Sequence, residues 1–278
     1  MSTKIEWVKN PDGSQGITWN PITGCLNGCS YCYARKLANG RLKNLYLANN
    51  VVPHASPLIA LHDPFYPRFW QSKINELADN CWLNVERRKP KGIFCCDMSD
   101  LFGKGVPDDW TRQVLEVIKS RYYDRFYLLT KQPQNMARWS PFPDNCWVGV
   151  SAWDDMSYME AYFMLANTVQ AKVKYISLEP FKGQISPGHI SSGFKHINWL
   201  IIGQQTPARP ETSPKIEWIE EIVTAADKAG IPVFLKHNLS RLFLNVSDFP
   251  EWARNKKTGY LRQELPAPGK PDTKEARG

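Results

Sequence analysis

Apolar residues fall into short runs along this chain, separated by longer stretches in which apolar positions recur at helical spacing. The runs predict strands over Ile17 to Asn20, Gly92 to Asp97, Phe126 to Lys131, Cys146 to Ser151, Val173 to Glu179, Asn198 to Gly203 and Pro232 to His237. The stretches Asp108 to Ser120, Asp154 to Asn167 and Pro214 to Ala229 predict amphipathic helices. Thr212 and Ser213 stand where the last of these needs a cap, Pro214 suits its first turn, and Gly230 is placed to end it. Strand and helix in strict alternation is the order of βαβ units with parallel strands.

Within a strand, side chains alternate between faces. Ile176 and Leu178 are therefore expected to face the helices, and Ser177 and Glu179 the interior of a barrel-like sheet. The same count turns Val148 and Val150 outward and Gly149 and Ser151 inward, with the missing side chain at Gly149 expected to leave room for a ligand. Ligands of parallel α/β folds sit at the carboxyl ends of the strands, and polar residues gather there. Asp97, Ser99 and Asp100 follow the second strand, Lys131 ends the third, Ser151 the fourth and Glu179 the fifth. Gln204 and Gln205 follow the sixth, and Lys236 and His237 end the seventh. Burying a carboxylate or an ammonium group is costly unless it is paired or used. Glu179, Lys131 and His237 are accordingly the candidate catalytic residues, with Gln205 a further candidate substrate contact; for Glu179 and Lys131 a mutual ion pair is the alternative.

Two segments break the alternation. Residues 48–90 form an insertion with Phe65, Tyr66, Phe69, Trp70 and Trp82 among basic residues, too long for a structureless loop and expected to be partly helical, as a lid or binding surface. Residues 256–278 are polar and rich in Lys, Pro and Gly, and are expected to be a mobile tail behind one domain over 1–255.

With 278 residues, 42% of them hydrophobic, the chain can bury a large core and is not of disordered composition. Its net charge of +8 favours an acidic partner, nucleic acid first, because clustered cations displace counterions from phosphates. Clusters occur at Arg35/Lys36 with Arg41/Lys43, at Arg87, Arg88, Lys89 and Lys91, and at Lys256/Lys257; solvated surface is the alternative reading. Arg68, Trp70, Arg87 and Arg88 are candidate nucleic-acid contacts, with a core patch the alternative for the aromatics. The start MSTKIEW has no apolar signal region, and no apolar run is long enough to span a membrane, so a cytoplasmic protein without membrane contact is expected.

Three of the seven cysteines crowd into Cys25-Leu-Asn-Gly-Cys29-Ser-Tyr-Cys32, directly after the first strand. That crowding suits metal ligation in a reducing compartment better than a disulfide framework. Three thiolates on one loop, with Gly24 and Gly28 permitting unusual backbone angles, can cap three irons of a 4Fe-4S cubane and leave the fourth open to a small-molecule chelator. A zinc site completed by His54 or His62, and unligated core cysteines, are the alternatives. Cys81, Cys95, Cys96 and Cys146 have no ligand spacing and read as core.

The segment TWNPITGCLNGCSYCYA, with its C-x3-C-x2-C spacing and an aromatic residue before the last cysteine, resembles the motif of the radical S-adenosylmethionine superfamily. Together with DMSDLF at 97–102, LLTKQP at 128–133, ISLEPFKGQI at 176–185 and WLIIGQQTPARP at 199–210, the chain resembles a family of phage and prophage radical S-adenosylmethionine-like proteins up to about residue 238. The resemblance implies a partial (β/α)6 TIM-like barrel with an extra C-terminal strand, a 4Fe-4S cluster on Cys25, Cys29 and Cys32, and S-adenosylmethionine across the strand ends. It places Tyr31 near the adenine, Asp97, Met98 and Ser99 at the methionyl amino group, and Ser151 at the ribose or carboxylate. Where relatives tend to have a Gly-Gly-Glu-like turn, this chain reads Gly203-Gln204-Gln205, a departure suggesting an altered substrate. The implied activity is hydrogen abstraction from a nucleic-acid base or nucleotide, including isomerisation or rearrangement of a hypermodified thymine in phage DNA. A flavodoxin or ferredoxin would donate the electron, in the host cytoplasm if the protein is phage-encoded. The competing readings are a radical enzyme acting on a peptide or small metabolite, and a non-enzymatic zinc-bearing nucleic-acid-binding protein.

Overall fold

The structure is a computed structural model that describes residues 2–267 except 55, 79–88, 193, 244, 246 and 247. In chain order the strands are β1 (Ile17–Trp19), β2 (Ile22–Thr23), β3 (Arg68–Phe69), β4 (Gly92–Cys95), β5 (Arg125–Thr130), β6 (Cys146–Ala152), β7 (Val173–Leu178), β8 (Trp199–Ile202) and β9 (Val233–Leu235). The helices are α1 (Tyr33–Asn39), α2 (Lys43–Leu47), α3 (Gln71–Ala78), α4 (Asp108–Ser120), α5 (Asp155–Asn167), α6 (Pro187–Ser192) and α7 (Ile216–Lys228). Seven strands form one sheet in the order β1-β4-β5-β6-β7-β8-β9, every neighbouring pair parallel. The sheet is a half-barrel, the partial TIM-like barrel with an extra last strand that the strand pattern and the family resemblance suggest. No helix among the described residues is long and apolar enough to cross a membrane.

Alternation along the strands divides the core in two. Ile93, Phe126, Leu128, Val148, Val150, Ile176, Leu178, Leu200, Ile202, Val233 and Leu235 pack against the helices. Phe94, Tyr127, Trp147, Tyr175, Trp199, Ile201 and Phe234 fill the other face together with Trp7. The Trp7 ring meets Phe94, Tyr127, Tyr175 and Trp199 edge-on, with centroids 5.2 to 5.8 Å apart; such pairs add roughly 0.5–1.5 kcal/mol each beyond the area they bury. The inner face is thus a solid aromatic floor. Gly149 belongs to it, which corrects the expectation of ligand space there: an added Cβ would stand 2.3 Å from the Tyr175 ring, whose hydroxyl donates to the Leu128 carbonyl at 2.9 Å.

Helix α7 starts at Ile216 with Lys215 in the capping position, so Thr212 and Ser213 do not cap it and Pro214 precedes its first turn, while Gly230 does end it with a φ of +68°. Asp154 accepts from the Ser157 amide at 2.9 Å, and the Ser157 hydroxyl accepts from the Asp154 amide at 3.0 Å, closing a capping box before α5. Of the segment expected to be a mobile tail, residues 268–278 lie outside the described residues. Residues 256–267 are ordered, and β9, the last strand, uses them as cover: the Leu235 amide donates to the Arg262 carbonyl at 2.8 Å and the Glu264 amide to the Val233 carbonyl at 3.0 Å. An edge strand left with unpaired amides is a liability that such cover removes.

The described part of the insertion is a support for the cysteine loop. β2 pairs antiparallel with β3, setting Thr23 opposite Arg68. Arg68, expected to contact nucleic acid, is fully buried. Its Nε donates to the Asn49 carbonyl at 2.9 Å, Nη1 to those of Asp63 and Tyr66 at 2.8 and 3.1 Å, and Nη2 to those of Ala60 and Leu61 at 3.0 and 3.2 Å. Five donors meet five carbonyls, which is what lets a guanidinium lie inside a fold. Trp70 is packed as well, stacking obliquely on Tyr46 at 5.9 Å and donating from Nε1 to the Thr23 hydroxyl at 2.8 Å. Arg87 and Arg88 lie outside the described residues. Replacing Arg68 with Lys keeps the charge but offers three donors for five acceptors. Arg68→Lys is expected to lower unfolding stability in urea by about 1–3 kcal/mol; a midpoint equal to wild type would overturn this account of the insertion.

Candidate active site

The strand ends open into one cavity of about 390 Å³, floored by Ile5 and Trp7. Cys25, Cys29 and Cys32 line one wall. The loop that carries them leaves β2 through Gly24, whose φ of +86° suits glycine and whose α-carbon is pressed so close to the Tyr66 carbonyl that a Cβ would lie 2.2 Å from its oxygen. The Cys25 amide donates to the Phe65 carbonyl and the Gly24 amide to that of Met98, both at 2.9 Å. Arg35, part of a basic cluster in the sequence, turns back to donate to the Cys25 carbonyl at 3.1 Å while its guanidinium lies over Phe65 at 4.8 Å.

Each sulfur has an N–H donor nearby. The Asn27 amide lies 3.4 Å from the Cys25 Sγ, the Asn27 side-chain nitrogen 3.3 Å from that of Cys29, and the Arg35 amide 3.4 Å from that of Cys32, which caps α1. Donors to sulfur stabilise thiolates and tune clusters built on them. Burial, with Asp100 beside it, pushes the Cys25 thiol up to about 12, so a positively charged metal must displace its proton. Neither His54 nor His62 lines the cavity. This donor set, three thiols along one wall with N–H support, has the chemistry an iron-sulfur cluster needs, and among the described residues no histidine of the cavity lining is placed to complete a zinc site.

Tyr31 lines the cavity between two cations, with the Lys182 Nζ 4.1 Å and the Lys131 Nζ 5.8 Å from its ring centroid. Asp97 also lines it; Asn20 donates to its carboxylate at 2.5 Å and the Tyr33 hydroxyl to its carbonyl at 2.7 Å, yet burial raises its pKa. Ser99 lines the cavity with its hydroxyl donating to the Ile22 carbonyl at 2.9 Å. Met98 points instead into a small apolar cluster with Ala34, Tyr46 and Phe65, and only its backbone serves the loop. Ser151 and Ser177 face the cavity from neighbouring strands, and the buried Ser177 hydroxyl has no hydrogen-bond partner among the described residues.

Glu179 and Lys131 both line the cavity, but they do not pair through their side chains. The Lys131 ammonium reaches the Glu179 carbonyl at 3.4 Å, and burial lowers its pKa. The Glu179 carboxylate is bound by Lys236. His237 is exposed and does not line the cavity; its amide donates to Glu6 at 2.7 Å. β9 ends at Leu235, and the inward parity that passes through Phe234 falls on Lys236, so Lys236 takes the place expected of His237. Gln205 is half-buried on the cavity wall, while Gln204 is locked to Asn238 and to the Ser213 hydroxyl, the latter at 2.9 Å. Besides Lys236, the sequence reading missed the site role of Asp100, the buried acceptor of the Thr130 hydroxyl at 2.7 Å and the Lys131 amide at 3.0 Å. It follows β4 and was legible as polar, but not as the anchor of the β5 end.

A model of the family described as "Protein of unknown function (DUF5131)" matches residues 2–242. The chain belongs to this family. No curated protein matches it. For this family member, similar solved structures include spore photoproduct lyase complexed with dinucleoside spore photoproduct, at 12% identity and TM-score 0.50 over 85% of this chain and 79% of that one. A cysteine-to-alanine mutant of that lyase with the same dinucleoside gives 12% identity and TM-score 0.51 over the same shares. At this identity the likeness is one of fold.

The pairing of Glu179 with Lys236 is testable by a double-mutant cycle on Glu179→Gln and Lys236→Met. A coupling energy of about 0.5–3 kcal/mol in urea unfolding is expected, as for groups in direct contact. Additive effects of the two substitutions would show that the pair does not form.

Proposed function

We propose that this protein is a radical S-adenosylmethionine enzyme that abstracts hydrogen from a nucleic-acid base or nucleotide. The observation that carries this reading is the meeting of three thiols, spaced C-x3-C-x2-C on one clamped loop, with Tyr31, Asp97, Ser99 and Ser151 around a single cavity at the strand ends. When bound on Cys25, Cys29 and Cys32, a 4Fe-4S cluster supplies the electron that cleaves S-adenosylmethionine to methionine and a 5'-deoxyadenosyl radical. Asp97, prearranged by Asn20 and Tyr33, and Ser99 would receive the methionyl amino group. Tyr31 would offer its ring to the adenine, and Ser151 its hydroxyl to the ribose or carboxylate.

The opposite wall suits a substrate. Glu179, Lys236 and Lys131 present charge on rigid strand ends, so they can orient polar edges of a base at the same depth as the cofactor wall. The aromatic floor excludes water from below, which protects a reactive carbon radical from side reactions. The fold neighbour binds a dinucleoside photoproduct, and the net charge of +8 suits the same substrate class. Within that class, isomerisation or rearrangement of a hypermodified thymine is the finer reading. A base in a strand would have to leave its stack to reach this depth.

Anaerobically purified protein is expected to hold about four iron and four sulfide per chain. Cys29→Ala should lose that iron and the reductive cleavage of S-adenosylmethionine, whereas Cys146→Ala, buried on the helix side, should keep both. Full cleavage by Cys29→Ala would sink the assignment. Substrate deuterated at the reacting carbon should pass label to 5'-deoxyadenosine, or regain it in product if the cofactor is regenerated.

A further inference from the structure

A second, smaller cavity of about 230 Å³ adjoins the first and shares Tyr31, Gln205 and Thr206 with it. The cysteine loop and α1 contribute Ser30 and Lys36 to it, and the loop after β8 contributes Arg209. Its lining holds two cations, three hydroxyl-bearing side chains and a neutral amide, and among the described residues no carboxylate. The first cavity is mixed, with Glu179, Asp97 and Asp100 set against Lys131 and Lys236.

We propose that this smaller cavity is a phosphate subsite, taking the phosphate of a nucleotide, or of a strand, whose base enters the larger cavity. The inference rests on the nucleic-acid reading of the main site and adds which part of the substrate is held outside it. A phosphate oxygen seeks several charged or hydroxyl donors at once, and Lys36, Arg209, Ser30 and Thr206 converge from two chain segments to supply them. Gln205, on the wall common to both cavities, adds an amide without repelling an anion. An apolar or cationic ligand finds no complement here.

The Arg209 side of the subsite is prearranged. Gln204 is tied to Asn238 and to the Ser213 hydroxyl, and that hydroxyl also donates to the Arg209 carbonyl at 2.8 Å. Asn238 donates back to the Gln204 carbonyl at 2.8 Å. The loop that bears Arg209 is thereby tied to Asn238 through Gln204 and closed on itself through Ser213. On the other side, Lys36 lies one turn into α1, next to the Arg35 that clamps the cysteine loop. Both cations are at the surface, so the attraction they exert on a phosphate falls as salt rises.

The test measures binding by the full chain, separately from turnover. Thymidine 5'-monophosphate is titrated against thymidine, and a fluorescein-labelled oligothymidylate is followed by anisotropy over a range of salt. The phosphate-bearing probe is expected to bind about tenfold or more tightly than thymidine. Lys36→Glu and Arg209→Glu should each remove about tenfold of the affinity for a phosphate-bearing probe, and each should flatten the salt slope for the oligonucleotide by about one. Lys119→Glu, which makes the same charge change in the last turn of α4, is the control and should stay within about twofold of wild type. Losses confined to the oligonucleotide identify a strand, and losses shared by the monophosphate a free nucleotide; either supports the subsite. Equal losses in Lys119→Glu and Arg209→Glu, or no preference for phosphate in any probe, would overturn it. Iron and sulfide are assayed on the same preparation. Phosphate discrimination in protein that binds no iron would count against the radical reading and leave the subsite standing.

Discussion

Side chains on a parallel strand must alternate, and every polar group of the cavity depends on the parity that this imposes. Ile176 and Leu178 can be buried under helices only if Ser177 and Glu179 face the other way. Slipping β7 by one residue would put a carboxylate into the helix interface and an isoleucine into the cavity. Seven strands obey the same rule with the same carboxyl edge, which is why groups distant in sequence meet within one small volume. The price of a half-open barrel is an inner face with no partner sheet. Trp7 and the rings around it meet that need by filling the space themselves, so the cavity is confined to the strand ends.

The cysteine loop gains its rigidity differently, from outside the sheet. A loop rich in small residues has little side chain to pack, and its shape must be imposed by backbone contacts. Phe65 and Met98 accept its amides, and the Tyr66 carbonyl presses on Gly24. Tyr66 and Asp63 are held in turn by the Arg68 guanidinium. The buried arginine therefore acts at one remove on the sulfurs: it fixes the carbonyl wall against which their loop rests.

This hierarchy explains what was legible in the sequence. The strands, the three longer helices and the cysteine motif follow from periodicity and spacing, and parity alone turns Ser177 and Glu179 inward. Three readings needed tertiary context. A charged residue among aromatics, such as Arg68, looks like a surface contact until its five carbonyl partners are seen at Asn49 and along residues 60–66. The empty place at Gly149 is filled by a ring from the next strand, which a single-strand count does not show. At β9 the end of the strand decides whether residue 236 or 237 reaches the site, and strand ends are what sequence patterns fix least well. Residues 256–267 look like a solvated tail because the need they meet, the open edge of β9, belongs to another part of the chain.

The order of strands also separates two kinds of work across the cavity. The cysteine loop, Asp97 and Ser99 follow β2 and β4 at one side of the sheet, while Glu179, Gln205 and Lys236 follow β7, β8 and β9 at the other. Ser151 and Lys131, at the ends of β6 and β5, stand between them. On the proposed reading, a cofactor bound at the first side would extend over the middle strands toward a substrate held by the second. The two sides meet again above the sheet, where Tyr31 from the cysteine loop and Gln205 from the β8 loop form the common wall of the larger cavity and its cationic neighbour. A molecule that fills both must be uncharged or mixed in polarity at its buried end and anionic at its outer end. A nucleotide has that asymmetry within one residue, since its base and phosphate lie on opposite sides of the sugar.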